Sequence, residues 1–541
     1  MPPLLARPIS AVSPLAFAEF ARELATGYPG PQRDYVLAGI QHGFRVGFSP
    51  ELVRLRSRPA NMRSASEHPD VIDAYLSAEL AAHRLAGPFD SPPWPSLHIS
   101  PFGVIPKNHQ PGKWRLILDL SSPAGRSVND GIPKAPFSLH YVSVDDAIRA
   151  LVDLGPGALM AKFDVQAAYR NVPIHPHDRF LLGMTWRDKF YVDFVLPFGL
   201  RSAPFIFDSV ASAVEWILIH NYAVSPLFHY LDDFLTLGPP NSPICQAQVE
   251  AAFGVFWRLG LPLNLDKCEG PATSLVFLGI ELDSVTQTAC LPLVKVNRIL
   301  QPLHRWSRKS TCNRRELESL IGHLHHACRV VRPGRTFLRR MINLLCCFRN
   351  SSHPIRLNVE FRRDLQWWLS FFQSWNGVSF FLSPAVSPLP DLVVSSDASG
   401  ALGFGAVWQR EWFSQSWSFL PRPASIAFLE LLPVVVAAHI WGPLWSRLRV
   451  QFLSDNSAVV AVLNSGTSRS ADIMHLLRSL ARVACVHHFT FSACFTPGRD
   501  NAAADALSRF RLQEFHRLVP SALPSPRPIP PALLALLVPP C

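Results

Sequence analysis

The 541-residue chain has few charged residues and few cysteines for its length. Charged residues make up 17% of it, below the roughly 25% that is usual in soluble proteins. The 10 cysteines include no Cys-x-x-Cys pair, which argues against a zinc ribbon or a dithiol redox site and favours a reduced, intracellular setting in the cytoplasm, the nucleus or both. Hydrophobic residues make up 48%, which is enough for several cores and excludes wholesale disorder.

The sequence also shows no secretory signal and no uninterrupted membrane-spanning run. Its first residues, Met1 to Arg7, have no basic start followed by an apolar core, so we expect no export. The segment from Ala427 to Trp445 is apolar and long enough to span a bilayer, but it contains Glu430 and Pro433. Because an uncompensated carboxylate in lipid is costly, we expect a buried helix with a functional acid and no membrane partner.

Proline and positive charge are abundant instead. The 50 prolines are nearly twice the usual share of about 5%, which predicts long irregular connections. Lys and Arg total 51 against 40 for Asp and Glu, and the resulting net charge of +11 suits an anionic partner such as nucleic acid. At about 100–200 residues per domain, the length predicts three or four domains.

Changes in composition and periodicity divide the chain into five segments. Short strand-like runs alternate with helical ones in the second, arginine-rich helices fill the third, and the fourth has the predicted order βββαβααβα. The last is rich in proline, so we expect it to form no core and to be a tail or a linker. The segments are an N-terminal extension, partly helical, over 1–94, an α+β domain over 95–285, a helical region over 286–390, an α/β domain over 391–510 and the tail over 511–541.

Three carboxylates in the second segment form the first candidate site. Tyr230-Leu-Asp-Asp233 lies in an apolar run, which predicts a β-hairpin with two acids near its turn, and Asp164 ends the apolar segment before it. Taken alone, such a motif is more often an exposed turn. Three carboxylates on neighbouring strands can also hold two Mg²⁺ ions, one activating a primer 3′-hydroxyl and the other binding the leaving pyrophosphate. Successive strand residues face opposite sides, so we expect Asp232 to contribute more than Asp233.

Five motifs occur in the order of the palm motifs of retroelement reverse transcriptases, which this region resembles. The resemblance implies a right-hand fold with fingers and palm over 95–285 and a helical thumb and connection over 286–390. It implies that the chain binds an RNA template, a DNA primer and dNTPs. The motifs are Asp164 with Ala168-Tyr169, Leu196-Pro-Phe-Gly-Leu-Arg-Ser-Ala-Pro204, Tyr230-Leu-Asp-Asp233, Asn264-Leu-Asp-Lys-Cys268 and Phe277-Leu-Gly279.

The same resemblance assigns nucleotide-binding residues. Lys107 and Arg115 match fingers residues that grip the incoming triphosphate, a role that needs charge-assisted bonds to phosphate. Tyr169 matches the residue that stacks under the sugar and excludes a 2′-hydroxyl. Gly199 matches a turn that lets the backbone approach the template and nucleotide, and Lys267 matches a lysine near the leaving phosphates. The alternative for both lysines is a solvated surface position.

Four acids in the fourth segment form the second candidate site. Asp397 and Asp455 each end a predicted strand, Glu430 lies on the apolar helix, and Asp505 lies on the last helix. Each is singly more often a cap or turn residue, but together they can converge on two Mg²⁺ ions that cut a phosphodiester with water. Their order on βββαβααβα resembles ribonuclease H, which implies an RNA–DNA hybrid as substrate and Mn²⁺ as an alternative to Mg²⁺. The loop Thr496-Pro-Gly-Arg-Asp500 lacks the histidine that many ribonucleases H use near product release, which implies slower turnover.

A group of histidines and cysteines in the third segment invites a zinc site, but the helical register favours a packed helix instead. Its members are Cys312, His323, His325, His326 and Cys328. Three further stretches are Phe163-Asp-Val-Gln-Ala-Ala-Tyr-Arg-Asn171, Ser454-Asp-Asn-Ser457 and Ala504-Asp-Ala-Leu-Ser-Arg509. With them, the sequence over 95–510 most resembles DIRS-type retrotransposons, an LTR-like group, and this resemblance implies a tyrosine recombinase on a separate chain or downstream segment.

The fold class expected from these resemblances is α+β, a right-hand reverse transcriptase followed by a ribonuclease H-like α/β domain. The expected function is an RNA-directed DNA polymerase with ribonuclease H activity, which copies retrotransposon RNA and degrades the RNA strand of the hybrid. Two alternatives stay open: a domesticated or inactive relic that binds nucleic acid, and ribonuclease H activity alone.

Overall fold

The computed structural model describes residues 12–53, 59–106, 112–350, 353–374, 379–380, 390–420 and 424–538. The chain forms two compact units, Met1–Leu275 and Val276–Cys541. Helices of the first unit are α1 Phe17–Glu23, α2 Gly30–His42, α3 Arg63–Glu67, α4 Pro69–Ala81, α5 Val144–Leu154, α6 Ala203–Tyr222 and α7 Ile244–Arg258. Its strands are β1 Leu85–Phe89, β2 Phe102–Pro106, β3 Trp114–Leu118, β4 Leu159–Asp164, β5 Gly183–Trp186, β6 Lys189–Asp193, β7 Leu227–Tyr230, β8 Asp233–Gly238 and β9 Glu269–Ala272, and β10 Ser274–Phe277 crosses the boundary.

The central sheet of the first unit has the strand order β7-β8-β4-β9. Strands β4 and β8 are antiparallel, and both are rich in apolar residues because both are central. Phe163 of β4 and Phe234 of β8 are buried and pack against Phe256 of α7. The predicted hairpin around Tyr230-Leu-Asp-Asp233 is therefore present, and its partner strand β4 ends at Asp164 as predicted.

The N-terminal segment shares the hydrophobic core of this sheet. Phe20, Ile40 and Ile72 are each at most 3% exposed and belong to the same buried cluster as Phe163. A buried group of charged residues around Arg170 also joins this segment to strand β6. Residues 12–89 thus contribute packing to the fold that carries the first candidate site.

Arg170 links helix α4 to strand β6. Its guanidinium is 4% exposed and lies 2.6 Å from Glu79 and 2.7 Å from Asp193. Burial works against the charge of Arg170, but Asp193, Tyr75 and Glu79 outweigh it and raise the pKa of the guanidinium. The charge stays in place because both carboxylates satisfy it within the core.

The second unit contains ten helices and ten strands among its described residues, besides the part of β10 that it shares. The helices are α8 Leu293–Arg308, α9 Arg314–Ala327, α10 Arg339–Leu345, α11 Val359–Ser374, α12 Ile426–Trp441, α13 Ser457–Ser465, α14 Ala471–His487, α15 Ala502–Ser508, α16 Leu512–Leu518 and α17 Pro531–Leu537. The strands are β11 Ile280–Asp283, β12 Thr288–Cys290, β13 Thr311–Cys312, β14 Ile355–Arg356, β15 Ser379–Phe380, β16 Leu392–Ala398, β17 Gly403–Trp408, β18 Glu411–Ser416, β19 Arg449–Ser454 and β20 Thr490–Phe495.

A five-stranded sheet of order β18-β17-β16-β19-β20 organises the C-terminal half of this unit. Strands β16, β17 and β18 are antiparallel neighbours, whereas β19 runs parallel to β16 and β20 runs parallel to β19. The chain order from β16 to α15 is βββαβααβα, as the sequence predicts. The parallel arrangement brings the carboxyl ends of β16 and β19 to the same edge.

Helix α12 packs against β16 and β17 of this sheet, and its residues are apolar except for Glu430 and His439. Ile426–Leu444 and, in the first unit, Ala203–Tyr222 are long and apolar enough for a membrane span among the described residues, a test that core helices also pass. An 18-residue stretch within Ile426–Leu444 has a mean hydropathy of 1.7, and 72% of that stretch is buried. Leu431 and Val435 are fully buried in the core of the second unit, as expected for a central helix.

The residues that invited a zinc site lie in and next to helix α9: the three histidines are on the helix, Cys312 is on β13, and Cys328 directly follows α9. Leu317, Leu320 and Leu324 of α9 are buried, which supports the packed-helix interpretation. His323 lies 2.7 Å from the Ser319 carbonyl, and His326 lies 3.3 Å from the Leu278 carbonyl. In the described part of the chain, these residues do not gather as metal ligands.

The prediction that the Pro-rich tail forms no core is wrong for its described residues. Leu534 and Leu537 of α17 are 6% and 0% exposed and belong to the core of the five-stranded sheet. Between α16 and α17 the chain follows the open edge of β18. The Leu523 amide donates to the Arg410 carbonyl, and the Arg527 amide donates to the Trp412 carbonyl. Proline has no backbone N–H to donate. It is compatible with this path because a segment that lies along one edge strand uses only some of its backbone N–H groups in hydrogen bonds.

Truncating Leu537 to Ala should lower the thermal midpoint of the second unit. Removing a fully buried leucine side chain costs about 2–5 kcal/mol, whereas a disordered tail would show no effect. The matched control is Leu536→Ala on the same helix, since Leu536 is 59% exposed. A thermal melt followed by circular dichroism compares the two. Equal melting of both variants would show that α17 does not pack.

Two candidate carboxylate sites

The first site lies where the central sheet of the first unit ends in acids. Asp164 is the last residue of β4 and is paired directly with Asp233, the first residue of β8. Asp232 lies in the two-residue turn before β8, and its carbonyl accepts a hydrogen bond of 3.0 Å from the Val165 amide. The other turn residue, Leu231, has a φ of 53°, which is a strained value for a leucine. The turn is thus held in a costly conformation that keeps Asp232 next to Asp164.

Lys267 lies beside the three carboxylates and is paired with Asp164. Lys267 Nζ lies 2.9 Å from Asp164 Oδ2 and 3.1 Å from Oδ1, and Asp164 is 6% exposed. Burial, with the charges of Asp232 and Asp164, raises the pKa of Asp233 to about 6. Burial also raises the pKa of Asp232. The charge of Lys162 also reaches Asp233, but Lys162 is paired with Glu269, so the lysines do not balance three carboxylates. The donor set and its charge therefore fit a divalent cation.

Tyr169 lies beside this site in an aromatic cluster. It falls in a 3₁₀ turn, Ala168–Asn171. Its ring centroid is 5.3 Å from Phe198 and 5.7 Å from Phe207. Phe198 is 61% exposed, so the cluster presents an aromatic face to solvent next to the acids. Burial raises the pKa of Tyr169 to about 12, so the phenol stays protonated at neutral pH.

Gly199 lies in a turn whose backbone conformation requires a glycine at this position. Its φ is 88°, and a Cβ there would lie 3.3 Å from the Leu118 carbonyl oxygen. The Asn129 side chain holds this turn, since its Nδ2 donates to the Gly199 carbonyl and its Oδ1 accepts from the Arg201 amide. Sequence reasoning missed Asn129, because the two contacts join positions about 70 residues apart.

The fingers residues are only partly described. Lys107 lies outside the described residues. Arg115 is exposed on β3 and is paired with Ile105 of β2, so its guanidinium is accessible to solvent. The neighbouring Trp114 packs against the His68 ring with a centroid distance of 3.5 Å.

Two further residues next to the hairpin were not singled out from the sequence. Tyr141 packs on Tyr230 with ring centroids 4.7 Å apart. His229 of β7 bridges two acids of α6: its Nδ1 lies 3.0 Å from Glu215, and its Nε2 lies 3.4 Å from Asp208. Burial disfavours the charged imidazole, but the hydrogen bonds and charges of the two acids raise the pKa of His229 to about 9. A charged histidine therefore fastens β7 to α6.

Replacing His229 with Gln should destabilise the first unit most at low pH. Because the folded pKa lies above the usual 6.5, the stabilisation is complete below pH 6.5 and is lost as the pH rises through about 9. The expected loss is a few kcal/mol at pH 6 and close to zero above pH 9. Urea unfolding at a series of pH values measures it, with the exposed His220→Gln of α6 as control. A loss that does not vary with pH would contradict a charged bridge.

The second site lies at the carboxyl edge of the five-stranded sheet. Asp397 is near the end of β16, Asp455 follows β19 directly, and Glu430 projects from α12. One ligand oxygen from each of the three lies within 4.8 Å of the others. Glu430 Oε2 is buried and has no hydrogen-bond partner among the described residues. Three close carboxylate oxygens with one of them unsatisfied fit a divalent cation.

The charges of this group are unbalanced. Burial, together with Asp397 and Asp455, raises the pKa of Glu430 to about 8. Burial raises the pKa of Asp397 as well, while the Ser508 hydroxyl, 2.6 Å from Asp397 Oδ2, works in the other direction. A Cβ on Gly498 would lie 3.4 Å from Asp455 Oδ2, so the loop without histidine runs directly past the acids.

The structure does not bring the fourth predicted acid into this close group. Asp505 Oδ1 lies 2.7 Å from Arg509 Nε, and its Oδ2 pairs with Arg511. Asp505 is close enough for its charge to raise the pKa of Asp397. The structure therefore gives three gathered carboxylates and a fourth nearby that is paired with two arginines.

The part of the chain that contains the first site is similar to known proteins. Residues 105–282 match reverse transcriptase (RNA-dependent DNA polymerase). The chain is 26% identical over 188 residues to the retrovirus-related Pol polyprotein from transposon 412 of Drosophila melanogaster, covering 34% of this chain and 14% of that protein. It is 23% identical over 294 residues to the Gag-Pro-Pol polyprotein of human T-cell leukemia virus 3 (strain 2026ND), covering 50% and 18%.

A third relative and a solved structure are also similar to the chain. Protein P of woodchuck hepatitis B virus (isolate 8) is 26% identical over 339 residues, covering 61% of this chain and 33% of that protein. The chain thus spans a third or less of the length of these three relatives. The foamy viral protease-reverse transcriptase in complex with RNA/DNA hybrid aligns with a TM-score of 0.49 and 15% identity, covering 89% of this chain and 63% of that chain.

The matched segment contains all three carboxylates of the first site, together with Tyr169, Gly199 and Lys267. Such a domain implies the use of a divalent metal ion, which agrees with the charge of the acids described above. The predicted reverse transcriptase fold is confirmed. Residues 105–282 match the reverse transcriptase family, and the relatives of the chain include Pol polyproteins of a retrotransposon and of a retrovirus.

Proposed function

We propose that the first unit catalyses RNA-directed DNA synthesis at Asp164, Asp232 and Asp233. The observation that carries this proposal is the direct pairing of Asp164 with Asp233 beside a strained turn, within a reverse transcriptase domain. A bound pair of Mg²⁺ ions would activate the primer hydroxyl and stabilise the leaving pyrophosphate. The three carboxylates would hold these ions, and burial with the charges of Asp232 and Asp164 raises the pKa of Asp233, which is the direction expected of acids that lack a balancing charge.

The residues around these acids would select and hold the nucleotide. Tyr169 would stack under the sugar and exclude a 2′-hydroxyl, which its packing against Phe198 supports by fixing the ring. The Gly199 turn would let the backbone approach the template and the nucleotide. Arg115, which is exposed on β3, and Lys107 would bind the triphosphate, and Lys267 would pass from Asp164 to the leaving phosphates.

We propose further that the second unit is a ribonuclease H-like nuclease acting on the RNA strand of an RNA–DNA hybrid. Support comes from the sheet order β18-β17-β16-β19-β20 and from the three carboxylates at its carboxyl edge. Asp397, Glu430 and Asp455 would hold divalent ions, either Mg²⁺ or Mn²⁺. Glu430 Oε2, which has no hydrogen-bond partner among the described residues, would be one of the ligand atoms. Asp505 would join them once its arginine pairs open.

The partners of the chain would be an RNA template, a DNA primer, the hybrid and dNTPs. The net charge of +11 favours such polyanions. The element of origin would be of the DIRS type, because the sequence over 95–510 resembles such elements. A tyrosine recombinase would be supplied by a separate chain or a downstream segment.

Primer extension on an RNA template, with cleavage of the hybrid followed in the same tubes, tests both activities. We expect extension that requires dNTPs and Mg²⁺, and shortening of labelled RNA that requires Mg²⁺ but no dNTPs. Folded protein that binds the hybrid but neither extends nor cuts it would establish the binding relic instead. Cleavage without extension would establish a nuclease alone.

A further inference from the structure

We infer that Ser508 is a positioning residue that holds the carboxylate of Asp397 in the orientation needed to bind a divalent ion. This inference deepens the proposed nuclease function and rests on it. The Ser508 hydroxyl lies 2.6 Å from Asp397 Oδ2, and the two residues are 0% and 6% exposed. A hydrogen bond to a carboxylate in a buried setting is short and strong, so it restricts the rotation of that carboxylate.

The hydroxyl of Ser508 has two acceptors within reach and one proton to give. The Asp505 carbonyl oxygen lies 3.0 Å away, farther than Asp397 Oδ2. The carboxylate is the nearer acceptor and carries the charge, so the proton goes to Asp397. The bond to Oδ2 leaves Asp397 Oδ1 available to a cation.

Helix α15 is held against the sheet in a way that fixes Ser508. Ser414 of β18 donates its hydroxyl to the Leu507 carbonyl at 2.7 Å. At the other end of the helix, Asn501 Nδ2 donates to the Ser396 carbonyl at 2.9 Å, next to Asp397. These contacts tie both ends of α15 to neighbouring strands.

Gly405 of β17 allows this close approach. A Cβ at position 405 would lie 2.4 Å from the Leu507 Cβ, so any larger residue would push α15 away from the sheet. The Ser508 hydroxyl reaches Asp397 because the helix lies this close. The close approach of this strand and helix thus sets the position of the hydroxyl that bonds to Asp397.

The test compares metal binding by Ser508→Ala, Ser508→Thr and the exposed-strand control Ser492→Ala. Isothermal titration with Mn²⁺ is performed on the full chain in an Asp232→Asn, Asp233→Asn background, so that binding at the first site is suppressed. We expect Ser508→Ala to bind Mn²⁺ roughly tenfold more weakly, because a lost hydrogen bond to a charged group has about that effect. Ser508→Thr keeps the hydroxyl and should bind within about twofold of the parent, as should Ser492→Ala.

A second readout separates positioning from a purely structural role. The Mg²⁺ concentration that half-saturates hybrid cleavage should rise with Ser508→Ala by the same factor, and the rate at saturating Mg²⁺ should fall less. A structural role alone would lower the thermal midpoint and leave Mn²⁺ affinity unchanged in the folded protein. Mn²⁺ affinity of Ser508→Ala within twofold of the parent overturns the inference.

Two precautions keep the outcome decisive. If Ser508→Ala does not fold, Ser508→Cys replaces it, and affinity equal to that of the parent would again overturn the inference, because a thiol is a weak donor. If the parent binds Mn²⁺ but does not cut the hybrid, the proposed nuclease function fails, while the titration still decides the role of Ser508.

Discussion

Replacing Asp164 with Asn should reduce primer extension by roughly three orders of magnitude while leaving cleavage of a preformed hybrid intact. A factor of that size corresponds to about 4 kcal/mol of transition-state stabilisation. The physical reason is that Asp164 is the one acid of its group paired with Lys267, so its loss removes a ligand and releases that cation at once. Single-turnover extension of a labelled primer on RNA gives the measurement, and labelled-hybrid cleavage is followed in parallel.

The matched control is Asp153→Asn, an exposed acid of α5 in the same unit. It changes the net charge equally, so both variants should bind primer–template alike, and only Asp164→Asn should lose extension. A second arm uses Lys267→Met, which should weaken dNTP use if the lysine serves the leaving phosphates. Full extension by Asp164→Asn at wild-type rate would remove Asp164 from the active site.

Local chemistry explains what the sequence could predict about the two sites. An acid that ends an apolar run is costly unless it lies at an element end, so the positions of Asp164 and Asp397 at strand ends follow from the residues themselves. The order βββαβααβα was likewise readable, because each strand is short, β-branched or aromatic, and bounded by turn residues.

Long-range pairing explains what the sequence could not predict. The Asn129 side chain holds a turn 70 residues away, and His229 meets acids that lie one helix earlier. The prediction for the tail was wrong because its proline-rich composition indicates a lack of regular structure. Leu537 is buried only because the preceding strands fold into a core against which it packs. The arginine pairs of Asp505 are local by contrast, since Arg509 follows it at i,i+4 spacing, and the sequence could have indicated this pair.

Replacing Glu430 with Gln should abolish hybrid cleavage and at the same time stabilise the metal-free protein. Burial and two neighbouring carboxylates hold the pKa of Glu430 at about 8, above the 4.5 of a free glutamate. The ionised side chain therefore destabilises the fold increasingly as the pH rises from about 4.5 to about 8, and Gln removes that cost. In EDTA, the thermal midpoint of Glu430→Gln should exceed that of wild type at pH 8 by an amount equivalent to a few kcal/mol, and should match it near pH 4.5.

Opposite effects on stability and cleavage would assign Glu430 to a site rather than to the core. If Glu430 had a purely structural role, its replacement would lower the stability of the protein. Replacement of an exposed glutamate such as Glu318 with Gln should change neither the thermal midpoint nor hybrid cleavage. Addition of Mn²⁺ should then stabilise wild type more than Glu430→Gln, because only the former offers three anionic ligands. If Glu430→Gln melts lower than wild type in EDTA at pH 8, the three acids are not an unbalanced cluster. The divalent-ion assignment would then lose its physical basis.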